Sequence, residues 1–130
     1  GLVSITAGPD VALPLQAIII GAVGGVLCTL AIPLLDKLKI DDVVGAISVH
    51  LVAGIWGTLV VGIPGLGTLA ADFVTQLIGV VAIGVFVVVV SAITWLILKG
   101  VVGLRPTEEE EMSGLDVSEL GMEAYPEFRN

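Results

Sequence analysis

Charge is scarce in this sequence, and positive charge is the scarcest. Among its 130 residues, 14% are charged and 56% are hydrophobic, and the mean hydropathy is +1.10. Ordinary soluble domains carry about 25% charged residues, so this composition argues against a soluble globular domain. Five basic residues cannot form the basic stripe that nucleic-acid binding needs, and we expect no nucleic-acid partner.

Groups that support covalent or metal chemistry are also few. Cys28 is the single cysteine, which excludes an internal disulfide. His50 is the single histidine, and no His/Cys spacing is typical of a metal site. The sequence also lacks a nucleophile–base arrangement. We therefore expect no enzyme, no bound metal and no cofactor.

The charges that are present are concentrated at one end of the chain. Residues 1–103 carry five acids and three bases, whereas residues 104–130 carry eight acids and two bases. This distribution predicts two regions, a nearly uncharged body over 1–103 and a short acidic tail over 104–130.

Three long uncharged runs lie within the body. They cover residues 11–35, 43–71 and 73–98. Each exceeds the ~20 residues that a helix needs to cross ~30 Å of hydrocarbon, and a lipid-embedded backbone must satisfy its own hydrogen bonds. Pro64 and the glycines after it predict that the second helix ends near Ile63. We predict an all-α membrane bundle with spanning helices over about 11–35, 43–63 and 73–99, in which Pro33 lies in a last turn.

The distribution of Lys and Arg predicts the orientation of these helices. Lys37 and Lys39 lie between the first two helices, and Lys99 and Arg105 follow the third. Because cytoplasmic loops are enriched in basic residues, we predict an external N-terminus and a cytoplasmic C-terminus in the cell (inner) membrane. A chain that starts outside at Gly1 without a signal peptide is expected to follow an earlier membrane segment.

Small residues recur at helical spacing and predict close packing of helices in lipid. On the first helix they are Ala17, Gly21 and Gly25, and on the second they are Ala46, Ala53, Gly54 and Gly57. The four on the second helix are helix-face neighbours of His50. An intramembrane titratable side chain is costly and usually faces a cavity or a partner. Two interpretations stay open, a substrate or proton path along His50, and a neutral His50 that bonds a carbonyl of a neighbouring helix.

Two stretches of the sequence resemble one known family. Residues 41–59, DDVVGAISVHLVAGIWGTL, closely resemble the signature of the ammonium transporter (Amt) family around the second of its two pore histidines. Residues 103–125, GLRPTEEEEMSGLDVSELGMEAY, resemble its cytoplasmic ending. The resemblance covers essentially the whole chain. Two departures are Leu51, where a glycine usually follows the histidine, and Val43, where a proline usually follows the Asp pair.

The resemblance implies a fold and a function. The three helices would be the last three of an eleven-helix Amt-type fold, which forms homotrimers with one hydrophobic pore in each protomer. Ammonium would lose its proton at the outer mouth, and ammonia would pass two hydrogen-bonded histidines, of which His50 would be one. Trp56 would belong to the packing motif of residues 54–57.

The acidic tail contains local helix signals. Thr107 with Glu110, and Asp116 with Glu119, fit capping boxes, while Gly114 and Gly121 fit helix stops. We predict two short helical turns, although a solvated charge run remains an alternative for residues 108–111. The resemblance implies a regulatory tail that packs under the trimer near a docking site for a PII-type signalling protein. Its expected regulatory residues are Arg105, Gly114, Asp116, Ser118 and Tyr125, with Ser118 at a position that plant relatives phosphorylate.

A second function also fits the residues alone. A three-helix structural or assembly subunit of a membrane complex would need the same apolar helices and the same small residues. In that protein His50 would serve in packing only. The two hypotheses differ in whether His50 contacts a transported molecule.

Overall fold

The computed structural model describes residues 1–10, 13–67, 71–123 and 126–128. It divides into two compact units, Gly1–Val87 and Val88–Asn130. The described elements are α1 (Leu2–Ile5), α2 (Pro14–Lys37), a π-helix (Ala46–Val52), α3 (Ala53–Val60), α4 (Phe73–Val101), α5 (Glu108–Ser113), α6 (Leu115–Leu120) and a 3₁₀ turn (Pro126–Phe128). All regular structure in the described ranges is helical, which confirms the predicted all-α class.

Two helices are long and apolar enough to cross a bilayer. They are α2, with 24 residues, and α4, with 29. At about 1.5 Å per residue, both exceed the ~30 Å thickness of a hydrocarbon core. None of the residues of α4 is buried within this chain. An apolar helix without a single buried residue requires lipid or other helices around it.

Prolines and a left-handed residue set the bounds of α2. Pro14 is its first residue, where the missing N–H costs no hydrogen bond. Pro33 lies inside the helix, not in its last turn as predicted, because α2 continues to Lys37. Beyond that end the Ile40 amide donates to the Leu35 carbonyl at 3.0 Å. Lys39 adopts φ 57° there, the position at which glycine usually ends a helix.

The second predicted helix is shorter in the structure than the sequence indicated. Helical structure runs from Ala46 to Val60 rather than over 43–63, and it falls short of the length expected for a membrane span. Its end comes early because the amides of Gly62 and Ile63 donate to carbonyls three residues back, at 3.1 and 3.0 Å. These tight turns close the helix before Pro64. The predicted loop over 64–72 is described except at residues 68–70, which lie outside the described ranges.

The first unit is organised around α1. This one-turn helix packs against both α2 and α3. The buried side chains of the unit include Ile20, Ala53 and Val60. At the N-terminal end of α2, the Gln16 side-chain amide donates to the Gly65 carbonyl at 3.0 Å. The loop that follows α3 is therefore joined to the first turn of α2.

In the second unit, the tail forms the two short helices that were predicted. The Thr107 amide donates to the Glu110 carboxylate at 2.8 Å, and the Glu110 amide donates to Thr107 Oγ1 at 3.3 Å, so the first capping box is confirmed. The second is wrong, because Gly114 precedes α6 and Asp116 lies inside its first turn. Gly114 and Gly121 are confirmed as helix ends, with φ of 91° and 64°.

Lowering the pH is expected to loosen α5. Hydrogen bonds from the Thr107 amide and hydroxyl lower the pKa of Glu110. The ionised carboxylate therefore stabilises α5 fully above the ordinary glutamate value of 4.5, and this contribution is lost as the pH falls through the lower folded value. Amide exchange protection of α5, corrected for intrinsic rates, should decrease below that pH. Glu110→Gln should abolish this pH-dependent decrease in protection, and Glu109→Gln should keep it. An unchanged decrease in Glu110→Gln would show that Glu110 is not the titrating group.

Candidate functional site

The single histidine lies on a π-helix, and its side chain is exposed. The π-helix covers Ala46–Val52 and leads directly into α3. Single π-turns are rare and occur frequently at functional sites. In the described part of the chain, no side chain hydrogen-bonds the His50 ring. The ring is therefore available on the surface of this unit.

The π-helix accounts for the exposure of the His50 side chain. The buried residues of this segment are Ser48, Ala53, Gly57 and Val60. The step from Ser48 to Ala53 is five residues, the spacing of a π-helix, and the later steps are the four and three of an α-helix. A continuous α-helix would place Val49 or His50 in the buried stripe instead of Ser48. The π-turn thus rotates His50 out of the packed face.

One carboxylate anchors the start of the π-helix. Asp42 Oδ1 accepts the Ile47 amide, and Oδ2 accepts the Ser48 amide, both at 2.9 Å. Ser48 Oγ also donates to Oδ2 at 2.9 Å. Because these donors favour the charged form, led by the Ile47 amide, they lower the pKa of Asp42. The carboxylate is ionised at neutral pH and can accept all three bonds.

A close contact between α1 and α3 lies behind the π-helix. Ser4 is 1% exposed, and its hydroxyl donates to the Ala53 carbonyl at 3.2 Å. A Cβ at Gly57 would lie 2.9 Å from Ser4 Cα, and a Cβ at Gly24 would lie 2.6 Å from Ser4 Cβ. Real Cβ atoms essentially never come this close to other atoms. Glycine at both positions therefore allows α1 to pack closely against α2 and α3.

Trp56 links α3 to α2. Its Nε1–H donates to the Ile20 carbonyl at 3.0 Å. The indole is half-buried, and an added Cβ at Gly24 would lie 3.5 Å from its Cδ1. Trp56 thus combines van der Waals packing with one interhelical hydrogen bond, both of which hold helices together in lipid.

The structure separates the small residues predicted to surround His50. Ala46 is exposed, whereas Ala53 and Gly57 are buried against α1. A Cβ at Gly54 would lie 3.8 Å from the Val3 side chain, also on α1. The prediction depended on α-helical spacing over the whole segment, and the π-helix breaks that spacing between Ala46 and Ala53. On α2 the tight contact falls at Gly24, whereas Gly25 has open space.

The predicted regulatory residues lie in the second unit. Arg105 pairs with Glu111 at 3.8 Å, with both side chains largely exposed, and such surface pairs contribute little to stability. Gly114 connects α5 to α6, and Asp116 and exposed Ser118 belong to α6. Tyr125 lies outside the described residues, so its predicted role has no structural description.

Three residues of the site were not predicted from the sequence, namely Ser4, Asp42 and Ser48. Signals for two of them were present. Asp42 lies at the start of an apolar run, where an Asp side chain commonly caps a helix. An ordinary cap accepts an amide two or three residues later, whereas Asp42 accepts amides five and six residues later. Ser48 takes part in the same cap, because its hydroxyl donates to the Asp42 carboxylate. Ser4 lies outside the three long runs, and nothing local in the sequence marked it as buried.

Comparison with known proteins adds evidence independent of this geometry. The model of the Ammonium Transporter Family matches residues 1–125. The ammonium transporter Amt1 of Haloferax mediterranei is 39% identical over 130 residues, which cover 98% of this chain and 25% of that protein. Amt2 of Methanocaldococcus jannaschii is 38% identical, covering 98% and 31%, and Amt2 of Archaeoglobus fulgidus is 35% identical, covering 98% and 31%. No solved structure matches.

The helices first define a class, that of α-helical membrane proteins, because α2 and α4 are apolar, long enough to span and largely uncovered. The family match then makes the assignment specific. The chain belongs to the ammonium transporter family. It spans between a quarter and a third of the length of the curated relatives compared above.

Proposed function

We propose that this chain is the C-terminal part of a transporter that conducts ammonium across a membrane, with His50 in the path of the transported molecule. The observation that carries the proposal is the exposed His50 ring on a π-helix, within a chain that matches the ammonium transporter family over residues 1–125. The relatives are named as transporters, so we propose transport and not catalysis. No step needs a metal or an organic cofactor.

An imidazole suits this role chemically. Moving a bare cation through hydrocarbon is very costly, whereas neutral ammonia can accept one hydrogen bond and donate others. The two ring nitrogens of His50 can offer a donor and an acceptor. A second histidine elsewhere in the protein would complete the pair and could relay the proton separately.

The proposed arrangement in the membrane follows from charge and helix length. α2 and α4 span the bilayer, and the shorter segment Ala46–Val60, which comes between them in the sequence, is the second of the last three helices. Lys37, Lys39, Lys99 and Arg105 then lie on the cytoplasmic side of the cell (inner) membrane. The acidic tail follows on that side, where we propose contacts within a homotrimer and with a PII-type signalling protein.

The test measures transport in the complete protein that carries this chain. Reconstituted in vesicles, the unmodified protein should conduct ammonium and methylammonium. His50→Ala should change the flux, or its selectivity over K⁺, by at least about tenfold, since about 1.4 kcal/mol of lost stabilisation has that effect. Leu30→Ala, which truncates an exposed apolar side chain on α2, is the matched control and should leave both unchanged.

Two results would argue against the proposal. If the unmodified protein shows no ammonium flux, the transport function itself is wrong. If flux and selectivity are normal in both His50→Ala and His50→Glu, transport does not pass along His50. The histidine would then serve in packing only.

A further inference from the structure

The orientation of His50 depends on a π-turn that needs an anchor. The first amides of any helix lack partners within it, and Gly45, which precedes this helix at φ 71°, has no side chain to offer. Asp42 supplies the missing acceptors from five and six residues away. The Gly45 amide in turn donates to the Asp42 carbonyl at 3.0 Å. The segment from Asp42 to Ser48 is therefore held by two sets of hydrogen bonds, one to the carbonyl of Asp42 and one to its carboxylate.

Burial makes Ser48 the second half of this anchor. Ser48 is fully buried, with 0% exposure. A buried hydroxyl is costly unless it is hydrogen-bonded, and the acceptor here is the Asp42 carboxylate at 2.9 Å. The same bond thus satisfies Ser48 in the packed face and fixes the start of the π-helix. It keeps position 48, and not position 50, against the neighbouring helices.

We propose that Asp42 is a positioning residue for His50, which acts by holding the π-turn that turns the imidazole out of the packed stripe. This inference rests on the proposed role of His50 in transport. Without the carboxylate, Ser48 loses its acceptor and the segment can relax toward α-helical spacing. Val49 or His50 then approaches the buried stripe, and the ring leaves its working orientation.

The experiment combines flux with a direct probe of the ring in the complete protein. Methylammonium flux is measured in vesicles, and the ¹⁵N resonances of the His50 ring are recorded by solid-state NMR. Asp42→Ala should lower flux about tenfold, the effect expected from losing a hydrogen bond to a charged group, and should shift the ring resonances. Asp42→Asn retains one carbonyl oxygen, is expected to fold even if Asp42→Ala does not, and should give a smaller change of the same kind.

Asp72 provides the matched control. Its carboxylate accepts the Thr75 amide at 2.9 Å and the Thr75 hydroxyl at 3.1 Å, which is the same chemistry at the start of α4. Asp72→Asn should leave both the flux and the His50 resonances unchanged. General damage to a helix cap is thereby separated from an effect on the ring.

The outcomes separate this inference from the proposed function. Lower flux together with shifted His50 resonances in Asp42→Asn supports it. Where His50→Ala changes the flux, unchanged flux in Asp42→Asn overturns the inference. Unshifted resonances in Asp42→Asn overturn it in every case, because Asp42 would then be merely structural. If His50→Ala itself leaves flux and selectivity unchanged, the proposed transport role fails, whereas shifted resonances in Asp42→Asn would still show that Asp42 orients the ring.

Discussion

Gly57→Ala is expected to destabilise the protein although it adds a single methyl group. That methyl would overlap the Ser4 backbone, with Cβ only 2.9 Å from Ser4 Cα. A backbone atom cannot move aside as the end of a flexible side chain can, so α1 and α3 must separate. We expect the free energy of unfolding to fall by about 3 kcal/mol, the upper part of the range for overpacking. The measurement is the thermal midpoint of the complete protein in detergent, which should be lower.

The matched substitution is Gly25→Ala on α2. Nothing lies within 4 Å of a Cβ at that position in this chain, and alanine is the better helix former by about 1 kcal/mol. The same chemical change should therefore leave the thermal midpoint unchanged or raise it. A thermal midpoint that Gly57→Ala leaves unchanged would show that α1 does not pack closely against α3.

Two helices could be predicted closely because their signals are local. The structure has α2 over Pro14–Lys37 and α4 over Phe73–Val101. Helices were predicted there from the uncharged runs between Asp10 and Asp36 and between Asp72 and Lys99. Hydropathy and charge spacing depend only on the sequence within each run. The second helix was less well predicted. Its end at Val60 depends on the tight turns that the Gly62 and Ile63 amides close, and its beginning depends on Gly45 and Asp42.

The candidate site was predictable in its chemistry but not in its geometry. His50 is conspicuous as the single titratable ring in an apolar run. A π-turn has no simple sequence signature, because it adds one residue to a helix that otherwise keeps its apolar pattern. The small residues were assigned to the correct helix, yet Ala53 and Gly57 pack against α1, a segment of four residues that is too short for periodicity to reveal.

This geometry gives α1, α2 and α3 a joint role in presenting His50. Ser4 bonds the Ala53 carbonyl at the first residue of α3, immediately after the π-turn ends. Asp42 holds the beginning of that turn. The turn is thus fixed at both ends by groups outside it. It also packs directly against α2, to which Trp56 adds a hydrogen bond from α3.

Trp56→Ala is the second substitution for which we expect a large effect. It removes the indole that fills the space between α2 and α3, together with the hydrogen bond to the Ile20 carbonyl. We expect a loss of about 3 kcal/mol, the low end for aromatic truncation because the ring is only half-buried. Trp56→Phe keeps most of the packing and should cost about 1 kcal/mol, as interhelical hydrogen bonds in membranes do. Equal thermal midpoints for the two variants would assign the whole contribution of Trp56 to its hydrogen bond. That result would contradict the packing role inferred from the position of the indole next to Gly24, where an added Cβ would lie 3.5 Å from Trp56 Cδ1.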